Sequence, residues 1–193
     1  MRTQNPLDIL IRHLFADSGA QVYAVLDGAA IPDLSQVLQE YRMEPVCLYR
    51  GTLIPELARV APYLFNLQRE SPFTMWLLQQ SWERHWGIFA LARSDWRPMR
   101  EHLCNLGMVY DPDSRPLYFR YYDPRVLRVY LPSCDAEDLQ TLFGPISCLL
   151  CEDEDGALLK FQCVKGQLRR ERVELKALER PQTGESRQSQ EKE

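Results

Sequence analysis

The chain has 193 residues and a formal net charge of −4; 45% of its residues are hydrophobic and 26% charged, so one domain or two small lobes can enclose a core. This composition excludes a chain that is disordered throughout. The mildly acidic net charge argues against nucleic-acid binding, which needs an excess of positive charge. No apolar run approaches the length of a membrane span and the first residues lack signal-peptide features, so we expect a cytoplasmic protein that binds neither nucleic acid nor membrane.

The first half of the sequence alternates between predicted helices and strands. Asn5-Pro6 starts a helix, with asparagine as N-cap and proline in the first turn. Residues 22–26 form a continuous apolar run, which is typical of a strand covered on both faces. An amphipathic helix at 34–41 and a short strand at 45–49 follow, and this order favours a parallel βαβ unit. The elements predicted next are a short helix within 53–60, a strand at 62–67, a helix from Ser71-Pro72 and a strand at 86–91.

The second half predicts helices and antiparallel strands. Ser94 caps one helix, which Gly107 ends, and Asp135, with Asp138 three residues later, caps another. Turn-forming residues separate the two strands of each pair predicted in this half, which favours hairpins. Two antiparallel pairs of strands are predicted, at 108–110 with 117–122 and at 146–151 with 157–163.

These elements together predict an α/β to α+β fold. Residues 1–92 form an N-terminal lobe with an open, partly parallel sheet and helices. Residues 93–165 form a smaller α+β lobe with antiparallel strands, packed on the first lobe in one domain overall. Residues 166–193 form a charged tail, and we expect it to be partly disordered because no apolar residue follows Pro181. Within this tail, one face of a frayed helix is predicted at Leu168, Leu175 and Leu178.

The sequence at 117–132 predicts a strand that runs straight into a helix. Asp123-Pro124 is the helix start, with aspartate as N-cap and proline in the first turn. Arg120, Arg125 and Arg128 crowd this junction, and Asp123 is the one local carboxylate. Because a partly buried arginine needs a partner, we expect an internal ion network, with Asp27 as a second carboxylate. The alternative is phosphate binding, since arginine matches anions bidentately.

The sequence predicts no catalytic, metal or cofactor site. The three histidines lie far apart and no nucleotide-binding or hydrolase motif occurs, and His85 is expected to be a structural histidine. Asp27-Gly28 ends a strand, where α/β enzymes place nucleophiles, but a carboxylate that caps a turn is the commoner explanation. The one CxxC motif, Cys148 to Cys151, lies in a predicted strand whose alternation points the two thiols to opposite faces.

Aromatic residues offer candidate protein-binding anchors. Four tryptophans occur within a short stretch, and we expect most to be core, with one or two exposed. They are Trp76, Trp82, Trp86 and Trp96.

Several segments in order resemble one known family. They are Tyr23-Ala-Val-Leu-Asp27-Gly-Ala, Leu48-Tyr49-Arg50-Gly51, Ala61-Pro-Tyr-Leu64, Trp86-Gly-Ile-Phe89, Arg100-Glu-His-Leu103, Tyr118-Phe-Arg-Tyr-Tyr-Asp-Pro-Arg-Val-Leu127, Leu131-Pro132 and Phe143-Gly-Pro145. Over about residues 23–152 the chain resembles the adaptor/chaperone family of bacterial type VI secretion systems.

This resemblance implies a non-enzymatic protein without cofactors. Such adaptors bind a toxic effector protein in the cytoplasm of the producing cell, promote its loading onto a cognate VgrG spike protein, and are not secreted. Motif residues expected mainly to hold the fold are Tyr23, Asp27, Arg120 and Asp123. Residues predicted to bind the partner are Arg125, Tyr121, Tyr122, Trp86, Tyr49 and Tyr63.

Two other functions remain open at this point. One is an α/β enzyme, a hydrolase or phosphoryl-transfer protein, that uses Asp27 and the nearby arginines. The other is an immunity protein that neutralises a toxin. An immunity protein protects an intoxicated neighbour, whereas an adaptor is needed by the attacking cell.

Overall fold

A computed structural model describes residues 5–110 and 113–175. The helices are α1 (Pro6–Leu14), α2 (Leu34–Glu40), α3 (Pro55–Arg59), α4 (Pro72–Ser81), α5 (Trp96–Leu106), α6 (Pro124–Tyr130) and α7 (Ala136–Phe143), with a 3₁₀ turn at Leu131–Ser133. The strands are β1 (Gln21–Asp27), β2 (Val46–Cys47), β3 (Pro62–Leu67), β4 (Gly87–Ala92), β5 (Met108–Tyr110), β6 (Pro116–Tyr118), β7 (Ile146–Glu152), β8 (Leu158–Val164) and β9 (Gln167–Val173).

Seven strands form one sheet in the order β2-β3-β1-β4-β7-β8-β9, and each pair of neighbours is antiparallel. β1 lies near the centre, where Val25 pairs with Leu64 of β3 and with Ile88 of β4. β4 and β7, on either side of the predicted lobe division after residue 92, are neighbours in this sheet. β5 and β6 form a separate two-stranded antiparallel ribbon, as expected.

The prediction of a partly parallel N-terminal sheet is wrong. β1 and β2 run in the same direction, but β3 lies between them and is antiparallel to both, so no parallel βαβ unit forms. The apolar run in β1 correctly indicated burial on both faces. It carries no information on strand direction, because helices cover both faces of this antiparallel sheet just as they cover those of a parallel one.

Alternate residues of β1 enter two separate cores, one on each face of the sheet. Val22, Ala24 and Leu26 join the core beneath α1 and α4. Tyr23 and Val25 join the core formed with α5, α6 and α7. Both cores contain large side chains with almost no exposed surface, so the sheet is the shared wall between two apolar layers.

Local caps define the helix starts. The Asn5 side chain accepts a hydrogen bond from the Leu7 N–H at 3.1 Å, and Asp135 forms a reciprocal capping box with Asp138. These two predicted caps are therefore confirmed. The α5 cap is Asp95, not the expected Ser94, which lies one residue earlier.

Two predicted elements take a different form. The strand predicted at 117–122 ends at Tyr118, and the chain turns before α6 instead of running straight into it. The region of Leu168 is strand β9, not the face of a frayed helix, because Lys165 and Gly166 both adopt positive φ and make a two-residue hairpin turn after β8. Leu178 and the rest of the predicted tail after residue 175 lie outside the described residues. No helix in the described part of the chain is long and apolar enough to cross a membrane.

Gly87 provides a test of the sheet's central contact. A Cβ atom at Gly87 would lie 2.1 Å from the Val25 carbonyl oxygen and 2.9 Å from the Leu26 Cα, both backbone atoms of β1. We therefore expect Gly87→Ala to lower the free energy of unfolding by about 2–4 kcal/mol in denaturant titrations. Gly107→Ala is the matched control, since its Cβ meets nothing closer than 3.7 Å. Equal stability of the two variants would contradict this account of β1–β4 packing.

Candidate functional site

Asp27, the last residue of β1, has a buried side chain whose two carboxylate oxygens both accept hydrogen bonds. Its Oδ1 accepts a hydrogen bond from the Ala29 N–H at 3.0 Å, and its Oδ2 accepts one from the guanidinium of Arg120. Its own N–H donates to the Trp86 carbonyl at 2.8 Å. The expected pairing of Asp27 with an arginine of the distant junction is therefore present. Both carboxylate oxygens are engaged, as is typical of a structural carboxylate.

Asp123 is the second buried carboxylate of this network and the N-cap of α6. Its Oδ1 accepts from the backbone N–H and the Nε of Arg125, both at 3.0 Å, and its Oδ2 accepts from Arg125 Nη2 at 2.7 Å. Arg120 Nη2 lies 3.7 Å from the same Oδ2. Arg120 therefore bridges the end of β1 and the start of α6.

The network shifts the ionisation of its members. Burial opposes the ionised form of Asp123, but the hydrogen bonds from Arg125 and the charges of Arg125 and Arg120 outweigh it, so the pKa of Asp123 is lowered. Burial likewise opposes the charge on Arg120, but its bond to Asp27 raises the Arg120 pKa overall. Both groups therefore stay charged at neutral pH.

Arg128, the third arginine of the junction, lies apart from this network. Its Nη1 donates to the Glu152 carbonyl at 3.1 Å, and its Nε is 3.9 Å from Asp153 Oδ1. It therefore ties α6 to the end of β7.

Glu152 is a third buried carboxylate, and it holds the loop before β4. It accepts hydrogen bonds from the backbone N–H groups of Glu83 and His85, the latter at 2.6 Å, and the His85 ring also contacts it. Glu83 and His85 both have positive φ, a conformation that costs energy in residues other than glycine. The contact between the His85 ring and Glu152 agrees with the hydrogen-bonded, structural histidine that the sequence led us to expect.

Three of the predicted partner-binding aromatics lie in the core. Tyr121 donates its hydroxyl hydrogen to the Leu103 carbonyl at 2.9 Å, and Tyr122 and Trp86 are at most 5% exposed. Burial and a hydrogen bond with Tyr49 raise the pKa of Tyr122 far above its ordinary value. In this conformation these three side chains pack beneath the protein surface and are not exposed to a partner.

The other predicted partner-binding residues reach solvent to different extents. The Arg125 side chain is 57% exposed while it pairs with Asp123. Tyr49 and Tyr63 are half-buried; the Tyr63 hydroxyl donates to the Ala58 carbonyl, and the Tyr49 ring lies 5.2 Å from that of Tyr118. Of the predicted structural residues, Tyr23 is fully buried and donates to the Ser94 carbonyl at 2.9 Å.

The cysteines and other ligating side chains do not converge. Cys148 and Cys151 belong to the two different cores, on opposite faces of the sheet, as the strand alternation predicted. Burial raises the pKa of both thiols, to about 11 and about 12, so they stay protonated. Among residues 5–110 and 113–175, no group of three or more His, Cys, Asp or Glu could hold a metal ion.

The structure reveals an apolar surface that the sequence reasoning missed. We call it the ribbon surface; it comprises the exposed apolar residues Met108, Val109, Leu117 and Tyr118 of the β5–β6 ribbon, together with Leu57 of α3, which lines one hollow with Met108 and Tyr118. The sequence signal for this surface was a pair of adjacent apolar residues in each ribbon strand. Adjacent residues of a strand point to opposite faces, so such a pair places apolar side chains on both faces. Of the four tryptophans, Trp96 is the most exposed, at 47%, and it lines a hollow that shares Arg50 with the hollow lined by Met108 and Tyr118.

A protein-family model matches most of this chain. The model described as Domain of unknown function (DUF4123) matches residues 22–141. The chain belongs to the DUF4123 family. No curated protein and no solved structure matches it. The matched range of this DUF4123 chain contains Asp27, Arg120, Asp123 and the ribbon surface, whereas β7, β8 and β9 lie beyond it.

Substitutions at the two arginines test the asymmetry of the ion network. Arg120→Met leaves the buried Asp27 without a cation, so we expect unfolding free energy to fall by about 2–3 kcal/mol. Arg125→Met is expected to cost about 1 kcal/mol, because Arg125 is more exposed and Asp123 keeps its capping role. Denaturant titration measures both. The double variant Asp27→Asn/Arg120→Met should lose less than the sum of its single variants, and strict additivity would contradict a direct pairing.

Asp123 gives the network a defined dependence on pH. Because the pKa of Asp123 is lower in the folded protein than in the unfolded chain, its contribution is complete above about pH 4 and is lost as the pH falls through the folded pKa. Asp123→Asn should therefore flatten the loss of stability in acid. Arg125→Met should also reduce that loss, because it brings the folded pKa of Asp123 closer to that of the unfolded chain. Unfolding titrations at a series of pH values measure both effects, and identical acid limbs in all three proteins would rule the contribution out.

Proposed function

We propose that this chain is an adaptor that binds a toxic type VI secretion effector in the cytoplasm of the producing cell and promotes its loading onto a cognate VgrG spike, without being secreted. The observation that carries the proposal is the ordered motif set from Tyr23 to Arg125. This set falls within the matched DUF4123 range and resembles type VI effector adaptors. The chain would act by protein–protein contact, with no chemical step.

The geometry of the ion network agrees with a binding role. Asp27 and Asp123 are buried and satisfied by arginine and backbone donors, so the polar motif residues hold elements together. An enzyme that used Asp27 as a nucleophile would need at least one oxygen released from these bonds. The bonding of Asp27 therefore favours the adaptor over the enzyme.

The ribbon surface supplies what an adaptor needs. Tyr118 and Leu117 are 64% and 50% exposed on a ribbon that projects beside the motif segment. Tyrosine is enriched among the residues that contribute most of the binding energy at protein interfaces. An interface of modest area with a polar rim also allows release, which a loading factor requires.

An affinity purification of the tagged chain from host cells with an active type VI secretion system tests this function. We expect mass spectrometry to recover one toxin-like protein together with a VgrG protein. Deleting the adaptor should abolish export of that toxin while other VgrG-dependent export continues. Cells that express the chain should remain sensitive to the toxin.

The controls separate the adaptor from an immunity protein and from nonspecific adhesion. A tagged Gly87→Ala chain, which is expected to be poorly folded, controls for adhesion of partners to unfolded protein. Protection of a susceptible neighbour would identify an immunity protein instead. Recovery of neither partner by the folded chain from cells that make both would end the adaptor proposal.

A further inference from the structure

Two adjoining hollows form a groove between the ribbon and α5. The first has a volume of about 350 Å³ and is lined by Leu53, Leu57, Met108 and Tyr118, among others. The second has a volume of about 610 Å³ and is lined in part by Trp96, Arg97 and Arg100. Both hollows are lined by Arg50 and Cys104, so they lie next to each other. We call them together the arginine groove: apolar at one end, cationic at the other.

The cationic end of the groove carries more positive than negative charge. Arg50, Arg97 and Arg100 line it, against one carboxylate, Glu101. Within the described part of the chain, none of these arginines forms an ion pair: Arg50 donates to Asn105, and the Arg97 guanidinium lies 5.6 Å from the centre of the Trp96 ring. This local excess stands out on a chain whose net charge is −4. An acidic ligand is complementary to it.

Among the described residues, the apolar end of the groove remains partly open to solvent at Met108 and Tyr118, which are 39% and 64% exposed. Tyr118 pairs across the ribbon with Met108, and Leu117 pairs with Val109, so both faces of the two strands carry exposed apolar side chains. A two-stranded ribbon is only marginally stable unless it packs against something else. The Met108–Tyr118 face lines the groove, where a ligand with large apolar side chains would cover it.

We propose that the arginine groove binds an acidic segment of the partner protein, with aromatic or aliphatic side chains seated against Leu57, Met108 and Tyr118 and carboxylates paired with Arg50, Arg97 and Arg100. This inference deepens the proposed function and depends on it for the identity of the partner, but the required ligand chemistry follows from the groove alone. Single-stranded nucleic acid is the rival ligand, since Trp96 and Tyr118 can stack on bases. The aliphatic lining and the acidic chain favour a peptide.

Synthetic peptides test the chemistry without an identified partner. Three fluorescein-labelled peptides of about 12 residues share one layout. The first alternates Glu with Leu and Phe, the second replaces every Glu by Lys, and the third replaces Leu and Phe by Ser. Fluorescence anisotropy on the full chain at about 0.15 M salt should show the first peptide binding at least about tenfold more tightly than either of the others. An oligothymidylate of equal charge is the nucleic-acid probe.

Charge reversal on the protein makes the test specific to the groove. The variant Arg97→Glu/Arg100→Glu should invert the preference, so that the lysine peptide binds more tightly than the glutamate peptide. The matched control is Arg69→Glu, an exposed arginine in the turn between β3 and α4, which should keep the wild-type preference. Thermal unfolding verifies that each variant is folded. Absence of binding by the glutamate peptide up to about 1 mM, an unchanged preference in the double variant, or tighter binding of the oligothymidylate would overturn the proposal.

The two proposals fail in different ways. If the toxin and VgrG are recovered equally by the wild type and by Arg97→Glu/Arg100→Glu, the adaptor function stands and the groove is not its binding site. If the peptides follow the predicted charge dependence but neither partner is recovered from host cells, the groove stands and the adaptor function falls. Loss of toxin recovery in the double variant, with retention in Arg69→Glu, supports both.

Discussion

The buried carboxylate of Asp27 is the constraint on which the rest of the arrangement depends. An ionised carboxylate without a partner is costly to remove from water, so a cation must reach the end of β1. That cation belongs to Arg120, 93 residues later in the chain. Gly28 permits the close approach of the neighbouring chain, because a Cβ there would lie 2.6 Å from the Ala61 carbonyl oxygen. The position of the segment leading into α6 follows from this one pairing.

The same pairing separates the residues that hold the fold from those that face outward. Arg120 spans the gap between β1 and α6, and Tyr121 and Tyr122 fill the core beneath it. The chain just before Arg120 forms the β5–β6 ribbon, which is a sheet separate from the seven-stranded one. Leu117 and Tyr118 are therefore exposed on this ribbon, although the next residues of the chain belong to the network and the core.

Family membership and geometry support different parts of the functional argument. The DUF4123 match covers the motif residues, and the resemblance to type VI adaptors suggests the class of partner. The structure suggests where such a partner would bind, since the ribbon surface and the arginine groove combine apolar anchors with arginines that form no ion pair among the described residues. Apolar burial supplies affinity, while charge supplies selectivity and a faster encounter. This division between affinity and selectivity suits a loading factor, which must also release the protein that it binds.

The sequence by itself determined the local features: the caps at Asn5 and Asp135, the alternation that places Cys148 and Cys151 on opposite faces, and the need of Arg120 for a distant carboxylate. Each depends on hydrogen-bonding chemistry or on a period of a few residues. Only the tertiary structure decided the strand order, because an apolar run reports burial and not direction, and β3 inserts between β1 and β2. It also decided the groove, since no local pattern encodes the approach of Arg50, Arg100 and Tyr118 from three separate segments.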